Sequence, residues 1–280
     1  MHNMVMRNLI LLFVFSSLFL NAQTHRFIYE YQFKTDTTSA EFEKANMVLD
    51  INPEDVKFYD YAYAENDSLN KMREYKNHIW NDTPALIRNK NSNDNMNYEL
   101  MNDYFKYPSH DEIKWKLHSD TKNFNQYKLQ KATASFGGRE WTAWFNSEIP
   151  INEGPYKFRG LPGLIFEIKD TQNQFIFKLV KSYQLTSTYQ TTDYLETHMN
   201  EKPLSVSQEI LNKKKMDYYN DPFHDVRASF VYKPEEKLQL MGVRITSKDQ
   251  INEATKKYQN YLRANSNQIE RNKALKYPSN

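Results

Sequence analysis

The chain has 280 residues, a formal net charge of +2 and no cysteine. The near balance of charge excludes the one-sided basic excess of a nucleic-acid footprint. The absence of cysteine excludes disulfides, thiolate metal sites and an acylated lipoprotein anchor.

Residues 1–22 read as a signal peptide. Arg7 gives the positive start, residues 9–20 form an apolar run of 12, and Ala22 is the expected cleavage position. That run is short for a membrane span, and no later run reaches the required length, so no transmembrane anchor is expected. Cleavage after Ala22 would leave Gln23 free to cyclise. The mature chain is therefore expected in the periplasm or outside the cell. One domain is expected over 23–264, followed by a polar, frayed tail over 265–280.

With 20 Tyr, 17 Phe and 4 Trp, the core must lean on aromatics. Such side chains bury large areas and suit pleated sheet. Residues 26–33 alternate: Phe27, Tyr29, Tyr31 and Phe33 share one face, and Arg26, Glu30 and Gln32 the other. Residues 47–51 and 56–63 read as paired strands around the turn Asn52-Pro53-Glu54-Asp55. The Asn-rich stretch 64–95 reads as short helix or loop. Further strands are predicted over 96–105 and 112–118. Residues 126–136 and 139–145 form a predicted hairpin around Gly137-Gly138. Residues 164–169 and 175–180 form a second, turning at Asp170-Thr171-Gln172-Asn173. Helix comes late. Ser205 with Gln208 predicts a capped helix to about Tyr219, stopped by Asp221-Pro222. A last hairpin is predicted over 226–233 and 238–245, then a helix capped by Ser247 or Asp249 and running to about Ala264.

The fold class follows. It is mainly β, a single domain with a twisted, curved antiparallel sheet, a half-open barrel being the limiting form. A few helices lie near the C-terminus.

No constellation carries an evident reaction. Asp221, His224 and Asp225 lie close in sequence, and His110-Asp111 forms a weaker pair. Both read as surface or helix-stop residues rather than metal ligands, and no HExxH pair is present. Ser135 reads as turn chemistry, with no Gly-x-Ser-x-Gly elbow anywhere. Glu153, Glu167 and Asp170 read as solvated carboxylates rather than an acid/base pair. No catalytic residue, metal ligand or cofactor is assigned.

The stretch Gly154-Pro155-Tyr156-Lys157-Phe158-Arg159-Gly160-Leu161-Pro162-Gly163-Leu164-Ile165 stands apart. It holds three of the six glycines and enters a strand, not a helix, which excludes a phosphate cradle. Gly154, Gly160, Pro162 and Gly163 read as a tight structural corner, with positive φ expected at Gly160 and Gly163. Arg139, Trp144, Tyr156 and Arg159 are the candidate ligand- or partner-binding residues, because aromatic rings beside arginine suit protein recognition. On that reading Arg159→Ala should leave folding intact.

The run Gly160-Leu161-Pro162-Gly163-Leu164-Ile165 resembles the signature of the GLPGLI family. The flanking blocks are similar too: Lys131-Ala132, Gly138-Arg139, Ala143-Trp144-Phe145, Ile149-Pro150-Ile151, Asp170 and the later Asp221-Pro222. The resemblance is strong over 110–182 and diffuse elsewhere. Many relatives carry a cysteine where this chain has Leu129, so any thiol chemistry of theirs is closed to it. The resemblance implies a sheet-rich exported or envelope-associated bacterial protein and supplies no reaction. The expected function is a non-enzymatic, exported binding or accessory protein, with an envelope partner or an apolar or peptide ligand. The alternative is a peptidase-like hydrolase whose site assembles only in three dimensions.

Overall fold

The computed structural model describes residues 23–235 and 237–278. The expected signal peptide lies outside the described residues. Two antiparallel meanders build the sheet. The first comprises β1 (Thr24–Phe33), β2 (Glu43–Ile51), β3 (Asp55–Asp60), β4 (Ala85–Asn89), β5 (Asp94–Leu100) and β6 (Tyr104–His110). The second comprises β7 (Lys116–Phe124), β8 (Tyr127–Phe136), β9 (Arg139–Asn146), β10 (Leu164–Asp170) and β11 (Phe175–Leu185). They join where β11 pairs antiparallel with β1, Thr24 opposite Leu185 and Phe33 opposite Phe175. The two-residue β12 (Leu204–Ser205) lies parallel to β6 at one edge. The result is a single curved sheet of 12 strands that stops short of a barrel, with β7 and β12 at its two edges.

The alternation of β1 decides the layers. Phe27, Tyr29, Tyr31 and Phe33 enter the main core with Phe175, Phe177 and Leu179 of β11. Tyr31 stacks on Phe33 at 4.5 Å and on Phe177 at 4.4 Å. Each such ring contributes about 1.5–3 kcal/mol by leaving water. On the other face, Arg26 pairs with Asp50 at 2.6 Å in a buried setting. There Ile28, Val48 and Tyr59 pack beneath α1 (Tyr61–Asn70) and a π-helical turn (Thr192–Glu196).

Several boundaries differ from the sequence reading. Strand β3 ends at Asp60, where a strand is predicted through Tyr63. The Asp60 carboxylate accepts the Ala62 N–H at 2.9 Å and caps α1, which overrides the β-preference of the tyrosines. The stretch 64–95 then holds most of α1 and all of β4. The single strand predicted over 96–105 is two, β5 and β6, turning where Met101 N–H reaches Asp103 O at 3.0 Å. Strand β7 starts four residues later than the predicted 112–118 strand and runs on to Phe124.

The helix predicted from Ser205 is α2 (Gln208–Asn220), capped instead by Ser207, whose Oγ accepts the Ile210 N–H at 3.2 Å. Ser205 is already engaged in β12. The predicted last hairpin is replaced by α3 (His224–Ser229) and a short ladder of β13 (Gln239–Leu240) and β14 (Val243–Arg244). Of the two predicted caps, Ser247 and Asp249, it is Ser247 that caps α4 (Lys248–Ala264), in a capping box where Gln250 Oε1 accepts the Ser247 N–H at 3.0 Å. No described helix is long and apolar enough to cross a membrane.

The C-terminal segment departs most from expectation. Residues 265–278 are not frayed: the stretch 267–272 bonds to the strands and turns of the sheet, and Tyr277 stacks on Tyr219 at 4.6 Å. Asn267 donates its N–H to Thr35 O at 3.0 Å and its amide to Lys34 O at 2.6 Å. Ile269 is 6% exposed and belongs to the main core. Ile269→Ala is therefore expected to cost about 2–5 kcal/mol in urea unfolding. An unchanged midpoint and slope would show that the segment is detached in solution.

Candidate functional site

The loop between β9 and β10 folds back onto the sheet face that carries the main core, to which it adds Tyr156, Phe158 and Leu161. Its turns close on themselves: Gly160 N–H reaches Asn152 O at 2.9 Å, and Phe158 N–H reaches Pro155 O at 3.1 Å. Phe158 packs on Trp141 at 4.5 Å and on Phe136 at 5.6 Å. Tyr29, from the middle of β1, donates its hydroxyl to Ile165 O at 2.7 Å.

The glycines of the corner serve two different needs. Gly160 has φ +94°, a left-handed conformation that favours glycine, and a Cβ there would meet only the Trp115 ring, at an ordinary 3.9 Å. Gly163 does not share that feature, contrary to the sequence reading. A Cβ there would lie 2.8 Å from Ser147 Cα and closer still to the Asn146 carbonyl. Gly154 is similarly crowded, by Ile165 and the Phe158 carbonyl. Pro162 is exposed at the tip.

Beneath the loop lies a buried charge network. Arg88 pairs with Glu153, and both side chains are almost wholly buried. Arg159 donates to the same carboxylate at 3.1 Å and to Asn93 Oδ1 at 2.5 Å. Lys157 reaches Glu270 at 2.6 Å and Asp111 at 2.9 Å. Tyr156 holds a left-handed φ of +56°, rare for a side chain of its size. Its carbonyl accepts from Arg88 at 3.0 Å and its hydroxyl donates to Glu270 at 2.6 Å.

Of the four predicted contact residues, three are therefore enclosed. Arg139 is held by Asp170 at 3.1 Å and by the carbonyls of Gln268 and Ile269 at 2.7 and 3.0 Å. Tyr156 and Arg159 belong to the network just described. Trp144 lies apart, on the outer face of β9, with Lys122 Nζ 4.7 Å above its ring. The four do not converge. The expectation of solvated carboxylates also fails for Glu153 and Asp170, because buried arginines partner both. Glu167 keeps only a partly exposed pair with Lys122 at 2.9 Å.

The remaining candidates sit at the surface. His224 lies 3.4 Å from Asp221, which also receives Arg227. Asp225 caps no cluster, and among the described residues no group of three or more His, Asp or Glu is placed to hold a metal. His110 pairs with Asp94 at 2.6 Å, while its neighbour Asp111 turns inward. Ser135 donates to the exposed Glu140.

Burial alone would raise the Asp111 carboxyl. Lys157, with bonds from Lys273 and Ser109, overrides it and holds the group down at about 2. The unfolded carboxyl titrates near ~3.9. A depressed folded value means stability that is present above about pH 4 and lost as pH falls through about 2. Asp111→Asn is expected to narrow the stability gap from the native protein over that window; a gap constant from pH 5 to 2 would exclude the linkage.

A second feature escaped the sequence reading. A cleft of about 490 Å³ opens between the sheet, on its β4–β6 side, and the layer made by α2, α4 and residues 265–277. Tyr98, Tyr107, Tyr218, Tyr258, Tyr261 and Tyr277 line it. Its charges are mostly matched within the wall: Lys215 meets Glu99 at 2.7 Å, and Lys157 and Lys273 meet Glu270. Burial pushes the Tyr98 phenol up to about 12 and raises Tyr107 and Tyr258 as well, so these hydroxyls stay neutral donors. The i, i+3 spacing of Tyr258 and Tyr261 on α4 was the available signal. It says nothing of the strands opposite.

Residues 137–167 match the model of a family described as a protein of unknown function (Porph_ging). The match spans β9, the loop and the start of β10. The fold is similar to that of PNGF-II in two crystal forms. In space group C2 the TM-score is 0.50 at 13% identity, covering 71% of this chain and 34% of that one. In P21 the TM-score is 0.50 at 14% identity with the same coverage. The likeness is one of fold. The chain spans about a third of the length of PNGF-II.

Proposed function

We propose that this chain is an exported binding module of the GLPGLI type, which holds a neutral, apolar or aromatic peptide segment in the tyrosine-lined cleft. The observation that carries this reading is the cleft itself. It offers rings and neutral hydroxyls, and its lysines and glutamates largely neutralise one another. A charged ligand would have to break those pairs, whereas a neutral one keeps them and gains contact with the rings. The family-model match over 137–167 coincides with the GLPGLI run, which supports the family reading. The leader-like composition of residues 1–22 supports export.

The test uses N-phenyl-1-naphthylamine, a neutral fluorophore, followed by competition with a peptide array. One saturable site is expected, displaced by peptides rich in Phe, Tyr and Leu. Tyr218→Ala and Tyr258→Ala are each expected to weaken it about tenfold, since an aromatic anchor in a pocket is worth ~1–2 kcal/mol or more. Equal binding by both variants, or recovery of the peptide in cleaved form, would overturn the assignment.

A further inference from the structure

Outside the cleft, beside α1, two histidines form an unclaimed pair. The His78 and His198 rings stand 6.0 Å apart, centre to centre, at 71°. Both line a separate pocket of about 130 Å³. The other described histidines each have a polar side-chain partner: His25 has Gln184, His110 has Asp94, His118 has Thr133 and His224 has Asp221. Neither ring nitrogen of His78 or His198 has a hydrogen-bond partner among the described residues. None of their nitrogens is among the buried atoms left without a partner, so they open to solvent and are free to take a ligand.

Each histidine is held from its own side. Asn77, just before His78, is clamped three ways. Its N–H reaches Asn70 Oδ1 at 2.9 Å, and its carbonyl accepts from Asn66 and Asn70 at 2.7 and 2.8 Å. His198 opens a two-residue turn closed by paired bonds to Glu201, both of 2.9 Å. The two turn residues, Met199 and Asn200, both have positive φ, at 52° and 66°. Asparagine tolerates that conformation; methionine does so at a cost. Such strain persists where the surroundings over-determine it. Trp80 at 6.0 Å and Tyr104 at 5.7 Å wall in the His198 ring.

We propose that His78 and His198 form a two-imidazole site for a borderline divalent cation of the copper(II) or zinc(II) type. With metal–nitrogen bonds of about 2.0–2.1 Å, two imidazoles on one cation have ring centres about 4.5 Å apart at a right angle and about 6.4 Å apart in line, so this pair, at 6.0 Å, fits a wide N–metal–N angle. Imidazole suits these cations, and oxygen-preferring calcium or magnesium would gain little from it. Water completes the coordination, since no third His, Asp or Glu is grouped with the pair. The site is therefore open and exchangeable rather than a structural cage.

The test is titration of the full, untagged chain with copper(II) chloride and with zinc chloride in a non-chelating buffer, followed by calorimetry. The expected result is a saturable event weakened at least tenfold by His78→Ala and by His198→Ala, and unchanged by His110→Ala. Circular dichroism checks the fold of each variant. His78 makes the fewer contacts, so His78→Ala carries the test alone if His198→Ala fails to fold. Electron paramagnetic resonance of the copper form is expected to show two coupled nitrogens, reduced to one in His78→Ala. Binding equal in native protein and His78→Ala, a nitrogen count that does not change, or no binding at all would overturn the site and leave the pair as an edge contact within an aromatic cluster.

Discussion

Gly163→Ala is expected to cost at least about 3 kcal/mol or to prevent folding altogether. The added carbon would enter the space of Ser147 Cα and the Asn146 carbonyl, which are backbone atoms at the end of β9. Backbone held in a ladder cannot swing aside as a side chain can, and overpacking of this kind typically costs ~1–3 kcal/mol even where side chains can adjust. Gly160→Ala provides the contrast. Its nearest neighbour, the Trp115 ring, is 3.9 Å from the new carbon, so only the positive φ opposes it. The expected cost there is about 1–2 kcal/mol. Urea unfolding of the two variants side by side separates steric crowding from backbone strain; a Gly163→Ala no less stable than Gly160→Ala would exclude the close approach.

Glu153→Gln is expected to destabilise the protein by about 3–5 kcal/mol, because it strands two guanidinium groups in the interior. Burial lowers the Arg88 pKa, and Glu153 pulls it the other way. Arg88 has no exposed side-chain surface and cannot recover water when its partner turns neutral. Arg159→Ala removes one cation and leaves the Arg88 pair intact, so its expected loss is smaller, about 1–3 kcal/mol. That replaces the expectation of unperturbed folding, which assumed a cation at the surface. A change below about 1 kcal/mol for Glu153→Gln, by chemical denaturation at neutral pH, would mean that water reaches the network.

Local pattern made part of this molecule legible. The alternation in β1 and the Gly137-Gly138 and Asp170–Asn173 turns have signatures a few residues long, and they are present as predicted. What was hidden depends on partners far along the chain. Glu153 and Arg88 both look like surface residues until the loop and β4 are brought together. The polar segment after Ala264 looks disordered because Arg139, Lys157 and Tyr156, which hold it, lie more than a hundred residues earlier. Strand β4 is five residues long in an Asn-rich setting and earns its place from its neighbours rather than its own sequence. The cleft was illegible for the same reason: its walls come from both ends of the chain.

The seam between β1 and β11 has a consequence for how the protein comes into being. Synthesis runs from the N-terminus at about 5–20 residues per second, so β1 waits on the order of ten seconds for its second neighbour. Through that interval one long side of an aromatic strand is open, with nothing made yet to cover it. Unpaired edges of this kind recruit other chains. The first meander alone thus presents an adhesive edge, which closes when the last strand of the second meander arrives.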